Sequence, residues 1–126
     1  MKRTFNIVFI FIVIGVGACC KPGAGGDATL VAFPQHHGKE IKGATIYVKY
    51  NAKDFPGTDL SKYDTKFIGE SNEEHIHCKG LKCGKYYLYA VGFDSTKMQA
   101  VSGGIAIKVK YKERKQEIDI NVPVTE

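Results

Sequence analysis

Much that would mark an enzyme or a nucleic-acid-binding protein is missing from these 126 residues. No stretch of the chain after the first eighteen residues reads as an amphipathic helix, and no internal repeat or long low-complexity run occurs. A phosphate-cradling glycine loop, a nucleophilic Ser-His-Asp arrangement and a CxxC redox motif are all absent. Charge of one sign is scarce as well: 18 basic residues stand against 13 acidic ones, and 16 against 13 once Lys2 and Arg3 are set aside. That balance is too mild to argue for nucleic acid. The single long apolar run, Phe5 to about Ala18, is shorter than the ~18 residues a membrane-spanning helix needs.

What the N-terminus does contain is ordered. Lys2 and Arg3 precede the apolar run, and small residues end it, the pattern of a secretory signal peptide; a short N-terminal membrane anchor is the alternative. Val16-Gly17-Ala18-Cys19 resembles the bacterial lipobox. The resemblance implies cleavage before Cys19 and lipid attachment to its sulfur, whose thiolate is the nucleophile that accepts the lipid. Cleavage before Cys20 fits less well, because Gly17 would then stand at position −3. Lys21 to Gly26 reads as a flexible tether. The expected organisation is a lipoprotein signal peptide over 1–18, a lipidated cysteine and tether over 19–26, and one domain over 27–126. The body, about a hundred residues long, is enough for one small domain. It would hang from a membrane of the bacterial cell envelope, at the periplasmic face or the cell surface.

Outside the lipobox pair only Cys78 and Cys83 remain. In an oxidising compartment they most simply pair with each other, across a four-residue turn. Such a bridge closes a short loop and contributes only ~2 kcal/mol. Unpaired thiols and metal ligation are the other readings.

The body is a succession of β-rich runs separated by turn residues. Ala28 to Phe33 is the first, stopped by Pro34. In Ala44 to Tyr50, Ala44, Ile46 and Val48 share one face, with Thr45, Tyr47 and Lys49 on the other. Asp64 to Glu70 and His75 to Cys78 are shorter; Lys85 to Phe93 is long and aromatic. Ile105, Ile107 and Val109 alternate with polar or small neighbours, as do Ile118, Ile120, Val122 and Val124. Alternation of this kind marks antiparallel sheets with one wet face. Gly103-Gly104 reads as a bulge or bend. The stretch Asn51 to Tyr63 is the longest irregular one.

Two segments carry a family likeness. Lys42-Gly43-Ala44-Thr45-Ile46-Tyr47-Val48 resembles the second strand of carboxypeptidase regulatory-like domains. The run Lys79 to Ala90 resembles their glycine turn and following strand, with Cys83 standing where the family usually has proline. The resemblance implies an all-β, seven-stranded antiparallel sandwich of the transthyretin-like, immunoglobulin-like type, with Leu81, Tyr86, Leu88 and Ala90 in its core. It says almost nothing of function.

Chemistry concentrates on histidine and tyrosine. His75 and His77 are two apart on an expected strand and so share a face. With His36 or His37 they form a candidate site for zinc or copper, since imidazole suits both and three or four ligands are normally needed. The bland alternative is that His75 and His77 are the outward residues of a strand whose Ile76 faces the core. His75-Ile76-His77 is also similar to the motif of intradiol dioxygenases, which implies ferric iron held by two histidines and two tyrosines, Tyr63 being a candidate. Asn72-Glu73-Glu74 replaces that family's Arg-Pro. The tail Asn121 to Glu126 lacks the Tyr-Arg-Gly-Ser of the transthyretin-like hydrolases. Tyr47, Tyr87 and Tyr89 form an expected aromatic patch, able to stack on a sugar ring or a protein partner or simply to pack across strands. The reading with fewest assumptions is a non-catalytic, lipid-anchored binding or structural module with no cofactor, its ligand a glycan, a peptide or an envelope assembly.

Overall fold

The computed structural model describes residues 20–126; the expected signal peptide over 1–18 and the expected lipidation site Cys19 lie outside the described residues. The chain is all-β, with two short 3-10 turns as its only helical segments among those residues. Eight strands form two four-stranded sheets. The first contains β1 (Ala24–His36), β2 (Lys39–Glu40), β5 (Ile76–Leu81) and β8 (Glu117–Pro123). The second runs β4 (Thr65–Ile68), β3 (Thr45–Tyr50), β6 (Gly84–Asp94), β7 (Gln99–Val109).

Seven of these strands correspond to the seven expected runs. The eighth, β2, is a two-residue strand paired to the end of β1 through the tight turn His37-Gly38. Its two residues are too few to carry an alternation pattern. The expected all-antiparallel pairing also needs correction, because β8 runs parallel to β1 from Thr29↔Glu117 to Gln35↔Pro123. Pro34 does not stop β1. It is buried within the strand opposite Val122, and its carbonyl accepts from Ile41 N at 2.8 Å.

The alternation read from the sequence places the core correctly. Leu30, Ile46, Val48, Leu81, Leu88, Val109 and Val122 are almost fully enclosed, and both sheets contribute to this single cluster. Burial of each such side chain is worth about 1.5–3 kcal/mol. Gly103 and Gly104 are not a bulge, since β7 keeps register with β6 through Ala90↔Gly103 and Tyr89↔Gly104. They are glycine because of crowding. A Cβ at Gly103 would overlap the backbone of Pro123 and Val124, and one at Gly104 would meet the Leu88 carbonyl and the Tyr87 ring.

The tether reading is corrected by what holds residues 20–26. Ala24, Gly25 and Gly26 already belong to β1. Cys20 is disulfide-bonded to Cys83, with Cα atoms 4.9 Å apart. Gly23 accepts from Lys82 N at 2.9 Å, and its own N–H donates to the buried Tyr86 hydroxyl at 2.9 Å. That hydroxyl donates in turn to the Lys82 carbonyl at 2.5 Å. The segment expected to swing freely is fastened to the body at three points. Replacing Tyr86 with Phe keeps the ring but leaves the Gly23 N–H without its acceptor, and is expected to cost about 1–3 kcal/mol. Urea unfolding of the two proteins checks this.

Cys78 therefore does not pair with Cys83. Strand alternation turns Cys78 inward beside Leu30, where it is fully buried and free, and burial pushes its thiol up to about 12. Cys83 lies beyond the end of β5, where Cys20 reaches it.

Candidate functional site

Three strands finish at the same pole of the molecule, and each delivers one polar residue there. His36 is the last residue of β1, Asp94 the last of β6, and Glu126 lies three residues beyond β8. His36 is only 2% exposed despite being an imidazole, and Asp94 is 6% exposed. Buried polar groups require partners, and these two supply each other's: His36 Nδ1 lies 2.7 Å from Asp94 Oδ2. An ionised carboxylate can only accept, so the Nδ1 atom carries a proton in this contact. The opposite ring nitrogen, Nε2, is thereby aimed at Glu126 Oε1, 3.1 Å away.

His37 completes the cluster. It occupies the first position of the β1–β2 turn with φ 51°, followed by Gly38 at 77°, the pair of left-handed residues that a two-residue hairpin turn demands. Asn, Asp or Gly is the common choice there, and a histidine carries a modest conformational cost. The turn sets its ring 4.2 Å from that of His36 and its Nε2 3.2 Å from the same Glu126 oxygen. One nitrogen from each ring and one carboxylate oxygen all lie within 4.8 Å of one another. The imidazoles hold the Glu126 carboxyl below the usual range, His37 contributing first and His36 second.

Asp94 has a second task. Its other oxygen accepts from Thr96 N at 3.0 Å, Thr96 Oγ1 at 2.7 Å and Lys97 N at 3.2 Å, so one carboxylate both orients His36 and closes the β6–β7 turn. The His36 contact first, and then the Thr96 hydroxyl, hold this carboxyl well below the usual carboxylate range. A carboxyl depressed in the fold contributes stability that is complete above the unfolded value, about pH 4, and is lost as pH falls toward the folded one. The wild-type advantage over Asp94→Asn is thus expected to be largest near pH 6 and to shrink at pH 3, which denaturant titrations at the two values check.

The four expected histidines do not meet as one site. His75 and His77 stand together with ring centroids 5.0 Å apart, but on the outer face of the first sheet, where His75 lies against Phe33 at 5.5 Å. Ile76 and Cys78 alternate with them into the core, so the arrangement is that of outward strand residues. His36 points between the sheets instead. Asp94 and Glu126 were not foreseen, because no local motif surrounds them; only the convergence of three strand ends gives them a role.

The residues of the iron reading are also separated. Tyr63 lies over the outer face of the second sheet, stacked on Tyr89 at 5.6 Å and edge-on to Tyr47 at 5.9 Å. Its hydroxyl donates to the Gly57 carbonyl at 2.9 Å, and burial, with Tyr89 and Tyr87 next, pushes its phenol up to about 12. The expected patch of Tyr47, Tyr87 and Tyr89 does assemble on that face. It is largely roofed by its own loop, with Phe55 over Tyr87 at 5.8 Å and over Tyr89 at 5.2 Å. Tyr89 is only 5% exposed, whereas Phe55 is 49% exposed. The longest irregular stretch is accordingly a lid for these rings.

No protein-family model, no curated protein and no solved structure matches the chain.

Proposed function

We propose that this chain is a non-catalytic, lipid-anchored module of the bacterial cell envelope, a transthyretin-like β-sandwich carried on an acylated Cys19. The observation that carries the reading is the Cys20–Cys83 bridge. Disulfides persist in exported proteins and are rare in the cytosol of mesophiles, so the bridge agrees with the secretory leader. It also occupies the sulfur of Cys20, so of the lipobox pair the lipid is assigned to Cys19. The family likeness is supported by Leu81, Tyr86, Leu88 and Ala90, all enclosed as the glycine-turn motif implies. The exposed Phe55 face, backed by Tyr87 and Tyr89, suits a ligand that stacks, a glycan ring or an aromatic peptide side chain. Labelling growing cells with a radioactive fatty acid tests the anchor. Wild type and Cys20→Ser should incorporate label and Cys19→Ser should not; label in Cys19→Ser would sink the reading.

A second reading is favoured by the distal cluster: zinc or copper held by His36 Nε2, His37 Nε2 and Glu126 Oε1. Two imidazoles and one carboxylate with a further position open is a familiar zinc donor set. An Asp94 carboxylate bonded to the far nitrogen of a ligating histidine is the usual support for such a ring.

A further inference from the structure

The pole opposite His36 and Asp94 carries a charge pattern that the sequence does not display. Two surface hollows flank the Cys20–Cys83 bridge. One is lined by Lys21, Lys82, Arg114 and Lys115, with Asp27 as its one carboxylate. The other is lined by Lys85, Lys108 and Lys110, with no carboxylate. The lining of the two hollows thus holds seven of the 16 basic residues in 19–126 and one of the 13 acidic ones, Asp27. None of these seven cations is in an ion pair with a carboxylate among the described residues. Glu113, close in sequence, is turned back to accept from Lys110 N at 3.1 Å. Tyr111, 48% exposed, lies beneath the Arg114 guanidinium at 3.9 Å.

We infer that this basic pole is a docking surface for the anionic headgroups of the bilayer that holds the lipid anchor. The inference rests on the anchored reading and deepens it. Consecutive Cα atoms are about 3.8 Å apart, so an acylated Cys19 brings the Cys20–Cys83 bridge to the headgroup layer. No slack intervenes, because Cys20 and Gly23 are fastened to the body. Screening confines attraction between a cation and a charged surface to roughly 8–10 Å, and these side chains lie in the hollows that border the bridge. Basic residues next to an anchor are the usual complement of an anionic leaflet. A tyrosine with an apolar ring and a wet hydroxyl suits the same depth. The body therefore stands with this end down. The His36–Asp94–Glu126 pole sits away from the membrane, at a distance set by the eleven residues of β6, roughly 36 Å at about 3.3 Å per residue.

The test uses the full chain, made with its own leader and reconstituted from detergent into vesicles. One set is phosphatidylcholine alone; the other contains 30% phosphatidylglycerol. Amide hydrogen exchange over residues 82–85 and 108–115 should slow at least threefold in the anionic vesicles only. Exchange should recover in 0.5 M NaCl, and residues 36–40 and 94–98 should be unaffected. Lys85→Glu/Lys108→Glu/Lys110→Glu, exposed sites all, should abolish the difference. Equal protection in both vesicle types, or protection at the distal pole, overturns the inference. Intact mass of the same sample reads acylation separately. Were Cys19 found bare, the anchored reading would fail, while salt-sensitive binding to the anionic vesicles alone would still support the basic surface and its lack would overturn it.

Discussion

Loss of the Cys20–Cys83 bridge is expected to destabilise the body by about 4 kcal/mol, the value loop-closure entropy gives for a separation of 63 residues. For a domain of this size that corresponds to a fall in Tm on the order of 20 °C. The effect is large because the bridge joins the beginning of the described chain to the turn after β5 and closes half the domain into a ring. A Cys78–Cys83 bridge would have closed only a short loop and been worth about 2 kcal/mol. Thermal unfolding of a soluble form beginning at Cys20, with and without reductant, separates the two. Cys83→Ala should reproduce the reduced value, and adding reductant to Cys83→Ala should change nothing further. Cys78→Ala should retain the full response to reductant while losing a little packing. Equal melting of oxidised and reduced protein would contradict the pairing.

Zinc or copper(II) is expected to bind once per chain at the distal pole, and the variants rank in a definite order. His36→Ala removes the one ligand that Asp94 orients, and should abolish binding. Asp94→Asn leaves all three ligands in place but weakens the acceptor on Nδ1, and a loss of 10–100-fold in affinity is expected. His75→Ala/His77→Ala should leave affinity unchanged, because among the described residues no third histidine, cysteine or carboxylate ligand atom closes with those two rings to within 4.8 Å, as Glu126 does with His36 and His37. Native mass spectrometry after chelator treatment, followed by calorimetric titration, gives occupancy and Kd. Binding that survives His36→Ala and disappears in the His75/His77 variant would move the site to the wrong pole and refute this assignment.

The strands were legible in the sequence because each buries one face, so Ile46 and Val48, Ile76 and Cys78, and Tyr86 and Leu88 write the core as alternation. Their partners were less so. The parallel pairing of β1 with β8 joins segments some ninety residues apart and leaves no local trace. The cysteine pairing failed for a definable reason: Cys20 was assigned to the lipobox, which left Cys78 and Cys83 as the remaining pair. Alternation had already turned Cys78 inward with Ile76, away from a surface bridge. His36 and His37 were legible as candidate ligands. Their placement with Asp94 and Glu126, rather than with His75 and His77, depends on which strand ends converge. The loop from Asn51 to Tyr63 hid its role because the two rings that fold back on the tyrosine face, Phe55 and Tyr63, are eight residues apart and form no local pattern.

The two neighbouring cysteines are expected to do different work, Cys19 holding lipid and Cys20 holding Cys83. Mass spectrometry of the membrane-extracted protein, digested without reduction, reads both at once. The predicted result is a single cross-linked species with diacylglycerol on Cys19, the Cys20–Cys83 bond intact, and Cys78 recovered as a free thiol. An unmodified Cys19, acyl mass on Cys20, or a Cys78–Cys83 peptide would contradict it.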